Sequence, residues 1–155
     1  MTYPSPRALL LAACLLAALP VVAPMAHAED NDGCSLIAHV TGFRNAKGEL
    51  GAVLFSSTDG WPDNVKKSLR HAHFPIEGDH ATVRFDHLPP GSYGLAVLHD
   101  ENSNQKLDRD MFFIPKEGFG FANNPHVLMT APPMDKAMVT VSCPKTTTDI
   151  HLIYK

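Results

Sequence analysis

Apolar and polar residues alternate with a period of two along several short runs, each bounded by turn-forming residues. Such alternation belongs to strands with one buried and one solvated face. From Ser35 to Phe43 the apolar positions are Leu36, Ala38 and Val40, after which Asn45-Ala46-Lys47-Gly48 turns the chain. Glu49 to Ser56 carries Leu50, Ala52 and Leu54 on one face and Gly51, Val53 and Phe55 on the other. Two alternating runs across a short turn predict a hairpin. Residues 57–70 change character: Asp59-Gly60-Trp61-Pro62-Asp63 reads as a connection, with Asp63 placed to cap one helical turn over Val65 to Leu69.

Strand pattern resumes at His71-Ala72-His73-Phe74 and at Ala81 to Phe85. Leu88-Pro89-Pro90-Gly91 supplies a turn, Tyr93 to Leu98 is a strongly apolar strand, and Ala137 to Cys143 and Asp149 to Tyr154 complete the set. About seven short strands separated by turn signals predict an all-β, antiparallel two-sheet β-sandwich, Ig-like in the broad sense. Residues 99–126 fall outside the pattern as one long irregular stretch. Loops of that length in a compact domain tend to be functional, or ordered by what they bind.

The first 28 residues obey a different rule. Met1 to Arg7 carries one cation, Ala8 to Val22 is almost wholly apolar, and Ala26-His27-Ala28 places small residues first and third before a cut. These are the three parts of a secretory signal peptide, cleaved after Ala28. Pro20 interrupts the apolar run, and what precedes it is shorter than the roughly 20 residues a membrane span needs. Leu11-Ala12-Ala13-Cys14 has the form of a lipoprotein site, but a cut there leaves the apolar Leu15 to Leu19 where a polar tether belongs.

Removing 28 of 155 residues leaves 127, residues 29–155, the size of one domain. That domain carries 12 basic against 16 acidic side chains, a formal charge of −4. The balance argues against nucleic acid or an anionic membrane as the main partner. No stretch after residue 28 is apolar enough for a membrane span, so the expected location is the periplasm or the medium beyond it. Cys14 leaves with the signal, and Cys34 and Cys143 remain. An even pair in an exported chain predicts a disulfide, worth ~4 kcal/mol in the chain-entropy model; two buried thiols are the alternative.

The densest chemistry is Asp100 to Asp108. Asp100, Asn102, Asn104 and Asp108 put side-chain oxygens at positions 1, 3, 5 and 9, with the Lys106 carbonyl at position 7. Hard cations such as Ca²⁺ take converging oxygens from a tightly curved loop of this kind. Position 6 is Gln105 where the turn prefers Gly, and position 12 is Met111 in place of a bidentate Glu, with Asp110 one residue earlier. The shortfall predicts a weak site, ~10⁻⁴ to 10⁻³ M at best. Asp and Asn also favour turns by bonding nearby amides, so a polar loop with no ion is the alternative.

Downstream, Phe112, Phe113, Phe119 and Phe121 are placed to pack on a sheet face while Glu117 and Asn123 reach toward the Asp loop. The segment reads either as a lid on the core or as the wall of a small ligand pocket formed by His99, Glu117, Phe119, Phe121 and Asn123. Nine histidines, of which His27 leaves with the signal, raise a second function: a periplasmic copper or zinc protein. His71 and His73 share a strand face, with His99 as a further ligand. A hydrolase would rest on His99, Asp100 and Glu117 as acid and base. The chain has no nucleophile motif, phosphate-cradling glycine loop or zinc-protease helix, which disfavours an enzyme.

Leu88-Pro89-Pro90-Gly91-Ser92-Tyr93-Gly94, His99-Asp100-Glu101-Asn102-Ser103-Asn104, Lys106-Leu107-Asp108, Ile114 to Phe121 and Asn123-Asn124 occur together and in order. In these strings the chain resembles the exported bacterial domain-of-unknown-function family 2141, over nearly all of residues 29–155. The resemblance implies export and a sandwich of the transthyretin or carboxypeptidase-regulatory type, and it carries no assignable activity. The family pattern has Gly at the positions of Gln105 and Phe113. Together these readings favour a non-enzymatic exported β-sandwich that binds a protein or small-molecule partner at its loop end, with the 100–108 loop ordered by Ca²⁺.

Overall fold

The structure, a computed structural model, describes residues 33–155. The signal peptide expected over 1–28, the cut after Ala28 and Cys14 lie outside the described residues. The strands are β1 (Cys34–Thr41), β2 (Glu49–Phe55), β3 (Arg70–Phe74), β4 (His80–Leu88), β5 (Gly91–Asp100), β6 (Gly118–Phe121), β7 (Met138–Val141) and β8 (Lys145–His151). They form a three-stranded sheet, β4-β1-β8, and a five-stranded sheet, β3-β2-β5-β6, in which β7 also pairs with β5. The architecture is the all-β, two-sheet sandwich expected.

Alternation decides which side of each strand faces the core. Leu36, Ala38 and Val40 of β1, Ala81, Val83 and Phe85 of β4, and Ile150 of β8 are buried on the inner face of the smaller sheet. Leu50, Ala52 and Leu54 of β2 and Leu95 and Val97 of β5 meet them from the larger one, forming one continuous core. β5 is buried on both faces over most of its length. Its partner edge is shared, β7 pairing with Gly91 to Gly94 and β6 with Ala96 to His99.

Four features differ from the sequence expectation. β1 and β2 are not a hairpin: β1 pairs with β4 and β8, β2 with β3 and β5, and the turn between them crosses from one sheet to the other. The β1–β8 pair is parallel, so the smaller sheet is mixed. The stretch 99–126 contains β6, held to β5 in register Ala96 to Phe121. The short helical turn is a 3-10 helix at Val65–Lys67, and its N-terminal position is Asn64, with no side-chain cap, so Asp63 does not cap it.

β6 reads Gly-Phe-Gly-Phe for a packing reason. A Cβ at Gly118 would lie 2.5 Å from the Tyr154 ring, and one at Gly120 would lie 2.7 Å from Ile150. The inner face of β6 therefore takes no side chain, and Phe119 and Phe121 point outward. There they join Ala96, Val127 and Ala137 in a second apolar cluster on the outer face of the larger sheet. A disulfide joins Cys34 to Cys143, tying the start of β1 to the β7–β8 connection, Cα to Cα 4.5 Å. Among the described residues no helix is long and apolar enough to cross a membrane.

Candidate functional site

Asp100 ends β5 wholly buried, and its carboxylate organises the loop that follows. Oδ1 accepts the Asn104 amide at 3.0 Å and Oδ2 the Gln105 amide at 2.6 Å. Asn102 Oδ1 accepts the Asn104 amide (3.1 Å) and Asn104 Oδ1 accepts the Lys106 amide (2.9 Å), two Asx turns in succession. The side-chain amides of Asn102 and Asn104 then donate to the two oxygens of Asp108, at 2.7 and 3.0 Å. Asp100, Asn102, Asn104 and Asp108 thus come together, while Lys106 enters through its amide. Asp110 does not join them: its Oδ1 accepts the Phe112 and Ile114 amides and caps a separate small hairpin.

Glu117, buried just before β6, straps the loop from below. Its two oxygens accept the amides of Glu101 (3.1 Å) and Asp108 (2.9 Å). Burial pushes the Glu117 carboxyl above its ordinary range; the two amide bonds oppose this, and the nearby Asp108 and Asp100 charges add to it. Among the described residues no three His, Cys, Asp or Glu side chains gather as a metal site. The donor set of the loop is instead mixed carboxylate and carboxamide oxygen, which suits a hard cation. Each Asn oxygen bonded to one amide keeps a second lone pair.

His99 faces away from this cluster. It is wholly buried, with Nε2 2.8 Å from the Lys47 carbonyl and Nδ1 2.7 Å from the Tyr154 hydroxyl. A carbonyl only accepts, so Nε2 carries a hydrogen, and in the neutral ring with that hydrogen Nδ1 accepts from Tyr154. The Tyr154 oxygen accepts in turn from the Arg44 amide at 3.2 Å. Glu101 closes the same corner by pairing with Arg44 at 2.6 Å and accepting from Asn45. Burial works against its charged form, yet Asn45 and Arg44 hold its carboxyl below the usual range. Gly48 completes the corner at φ +68°, where a Cβ would sit 1.9 Å from the Asp100 carbonyl.

His99, Asp100 and Glu117 are therefore engaged with different partners, and no hydrogen bond among the described residues links His99 to the other two. His71 and His73 do share the outer face of β3, but His73 Nδ1 is 2.9 Å from Glu49 and His99 points into the core. Asn123 donates to the Met138 carbonyl at 2.7 Å and fastens the end of β6 to β7. Of the five residues expected around a ligand pocket, Phe119 and Phe121 line an open groove; His99, Glu117 and Asn123 do not.

That groove, of about 900 Å³, lies on the outer face of the larger sheet. Its floor is Gly51, Val53, Ala96, Leu98, Phe119 and Phe121. One wall is the hairpin closed by the Arg109–Pro115 bridge, whose tip presents Phe112 and Phe113, 74% and 79% exposed. The other includes Leu128 and Met129, 71% and 93% exposed. Large apolar side chains left in solvent on both sides of an apolar floor mark an interaction surface rather than scattered surface chance. Sequence reasoning missed the 127–131 wall, whose one signal is the Leu128-Met129 pair outside any strand pattern.

Residues 38–149 match the bacterial family described as "Uncharacterized protein conserved in bacteria (DUF2141)". The chain belongs to that family. No curated protein matches it, and no solved structure does. The DUF2141 span takes in the Asp100–Asp108 loop, Glu117, the hairpin and the whole groove floor, whereas Cys34 and Tyr154 fall outside it. Within the DUF2141 match the chain therefore holds the polar loop and the groove floor, while Lys155 of the groove rim lies beyond it.

Proposed function

We propose that this DUF2141 chain is an exported, non-enzymatic binding module, working in the periplasm or beyond it, that takes a small-molecule ligand in the groove. One observation carries the reading: a concave apolar surface of about 900 Å³ flanked by four large exposed side chains. Cavities of this size and composition are where proteins hold small ligands. The Cys34–Cys143 disulfide supports an oxidising compartment. The purified protein is expected to enhance the fluorescence of 1-anilinonaphthalene-8-sulfonate with one site per chain. A folded protein that leaves the dye dark contradicts a ligand groove.

A second reading concerns the rim. The four oxygen-bearing side chains lie in one hydrogen-bonded loop, and Ser103 and Gln105 adopt the left-handed backbone (φ +55° and +62°) that curls the chain there. This supports a weak Ca²⁺ site that orders the loop, held by Asp100, Asn102, Asn104 and Asp108. Calorimetry is expected to register Ca²⁺ binding at millimolar ion or better. The absence of both binding heat and a rise in Tm would rule the ion out. A copper or zinc role has less support, since His73 is taken by Glu49 and His99 by the core.

A further inference from the structure

We infer that the groove takes the hydrocarbon chain of an amphiphile ending in an anion, a carboxylate or a phosphate. The inference rests on the groove being a ligand site and adds what kind of ligand fits it. The floor is the face of a sheet, not its edge. β2 is hydrogen-bonded to β3 and β5, and the Ala96–His99 half of β5 to β2 and β6. The backbone groups beneath the groove are therefore engaged in the ladders. A peptide laid there would bury its own amides with no partners, at a cost per group that an alkyl chain does not meet.

The depth comes from small residues. Gly51 pairs with Leu98 and Ala96 with Val53, so the two small residues lie diagonally, two positions apart in register, on neighbouring strands under the two apolar walls. A Cβ added at Gly51 would meet only ordinary van der Waals contacts, the nearest being the His73 ring at 3.7 Å, so a side chain there is accommodated without a clash at its first carbon.

Charge selects the head. Lys106, Arg109 and Lys155 line the groove, with His71 and His73 on the β3 side. The acidic lining residues are Asp63 and Asp100, two against the three Lys and Arg side chains. Arg109 and Lys155 donate to neutral carbonyls, of Phe113 and Val127, and among the described residues neither forms an ion pair. Lys106 and Arg109 both belong to the loop leaving β5 at its Asp100 end. That end is where the head is held and the apolar chain runs from it over Leu98 and Val53. A cationic rim around a dry floor favours an anionic amphiphile over a neutral or cationic one.

The test is displacement of bound 1-anilinonaphthalene-8-sulfonate from the purified protein by hexadecanoate, hexadecyl phosphate, 1-palmitoyl lysophosphatidate, hexadecanol and hexadecyltrimethylammonium, each below its micelle concentration. The anions are expected to displace dye at concentrations about tenfold or more below the cation, a difference readable as an equilibrium ratio. Hexadecanoate against lysophosphatidate separates a free fatty acid from a phospholipid head. In the Lys106→Glu, Arg109→Glu variant the anion preference should fall to about threefold or less while hexadecanol is unchanged. Gly51→Phe should block every chain without lowering Tm.

Equal displacement by all five heads overturns the anion assignment and leaves the groove reading intact. Failure of the dye itself to bind overturns both. An apolar peptide that competes as well as hexadecanoate overturns the hydrocarbon assignment. So does a dimer in sedimentation that Gly51→Phe disperses, because the occupant is then a second copy of the chain.

Discussion

Gln105 and Phe113 stand with φ at +62° and +63°, in a backbone region that disfavours any Cβ. Both are positions where the resemblance to the family calls for Gly, so sequence and geometry agree on the strain and on its place. The turn at Gln105 survives because it is over-determined: the Gln105 amide is fixed at 2.6 Å by Asp100, and the Asx bonds of Asn102 and Asn104 fix the residues beside it. Relief should therefore appear as stability. Gln105→Gly and Phe113→Gly are each expected to gain roughly 0.5–1 kcal/mol, the left-handed cost less the extra freedom Gly has when unfolded. Phe113 is 79% exposed, so little packing is lost. Urea denaturation should move the midpoint up with the slope unchanged; a fall in either variant would mean the side chain contributes more than the backbone strains.

At the scale of elements, alternation told which face of each strand is buried but not which strand lies beside it. Leu36, Ala38 and Val40 and Leu50, Ala52 and Leu54 share one core, yet they reach it from opposite sheets, and a period-two pattern looks the same either way. β6 was hidden for another reason: its two glycines are demanded by Tyr154 and Ile150, residues near the chain end that no local window contains. The polar cluster was legible because its members lie within nine positions. The groove was not, because β2, β5, β6 and two loops build it from residues far apart in sequence.

Glu117 acts at this same scale, since it joins the segment before β6 to both ends of the Asp loop. Its folded-state carboxyl titrates above the ordinary range, so the native chain keeps this proton longer than the unfolded one. That contribution to stability is full below the ordinary Glu value and is lost as pH rises through it to the raised one. Glu101, held low, has the opposite sign and loses its contribution as pH falls through its lowered value. Glu117→Gln should remove the loss on the alkaline side of this window. It should also cost about 1–3 kcal/mol, because one of two backbone N–H donors then faces an NH₂. Stability curves from about pH 4 to 7 for both proteins test it; superimposable curves would separate Glu117 from the pH response.

For the whole molecule the decisive link is Cys34–Cys143, 109 residues apart in sequence. It anchors β1, the centre of the smaller sheet, at the point where the Ser35 amide donates to the Pro144 carbonyl and β8 begins its parallel run. Opening so large a loop costs about 4–5 kcal/mol in the chain-entropy model. For a domain of this size that corresponds to a fall in Tm of roughly 10–20 °C. The groove lies on the outer face of the other sheet, whose strands pair without help from β1. The Cys34→Ser, Cys143→Ser variant, held well below its lowered Tm, should therefore bind 1-anilinonaphthalene-8-sulfonate with the affinity of the unaltered protein. Binding that weakens while the variant is still fully folded would mean the two sheets do not separate stability from recognition in this way. Unchanged binding with a depressed Tm would place the disulfide in the frame of the sandwich and recognition on its outer face.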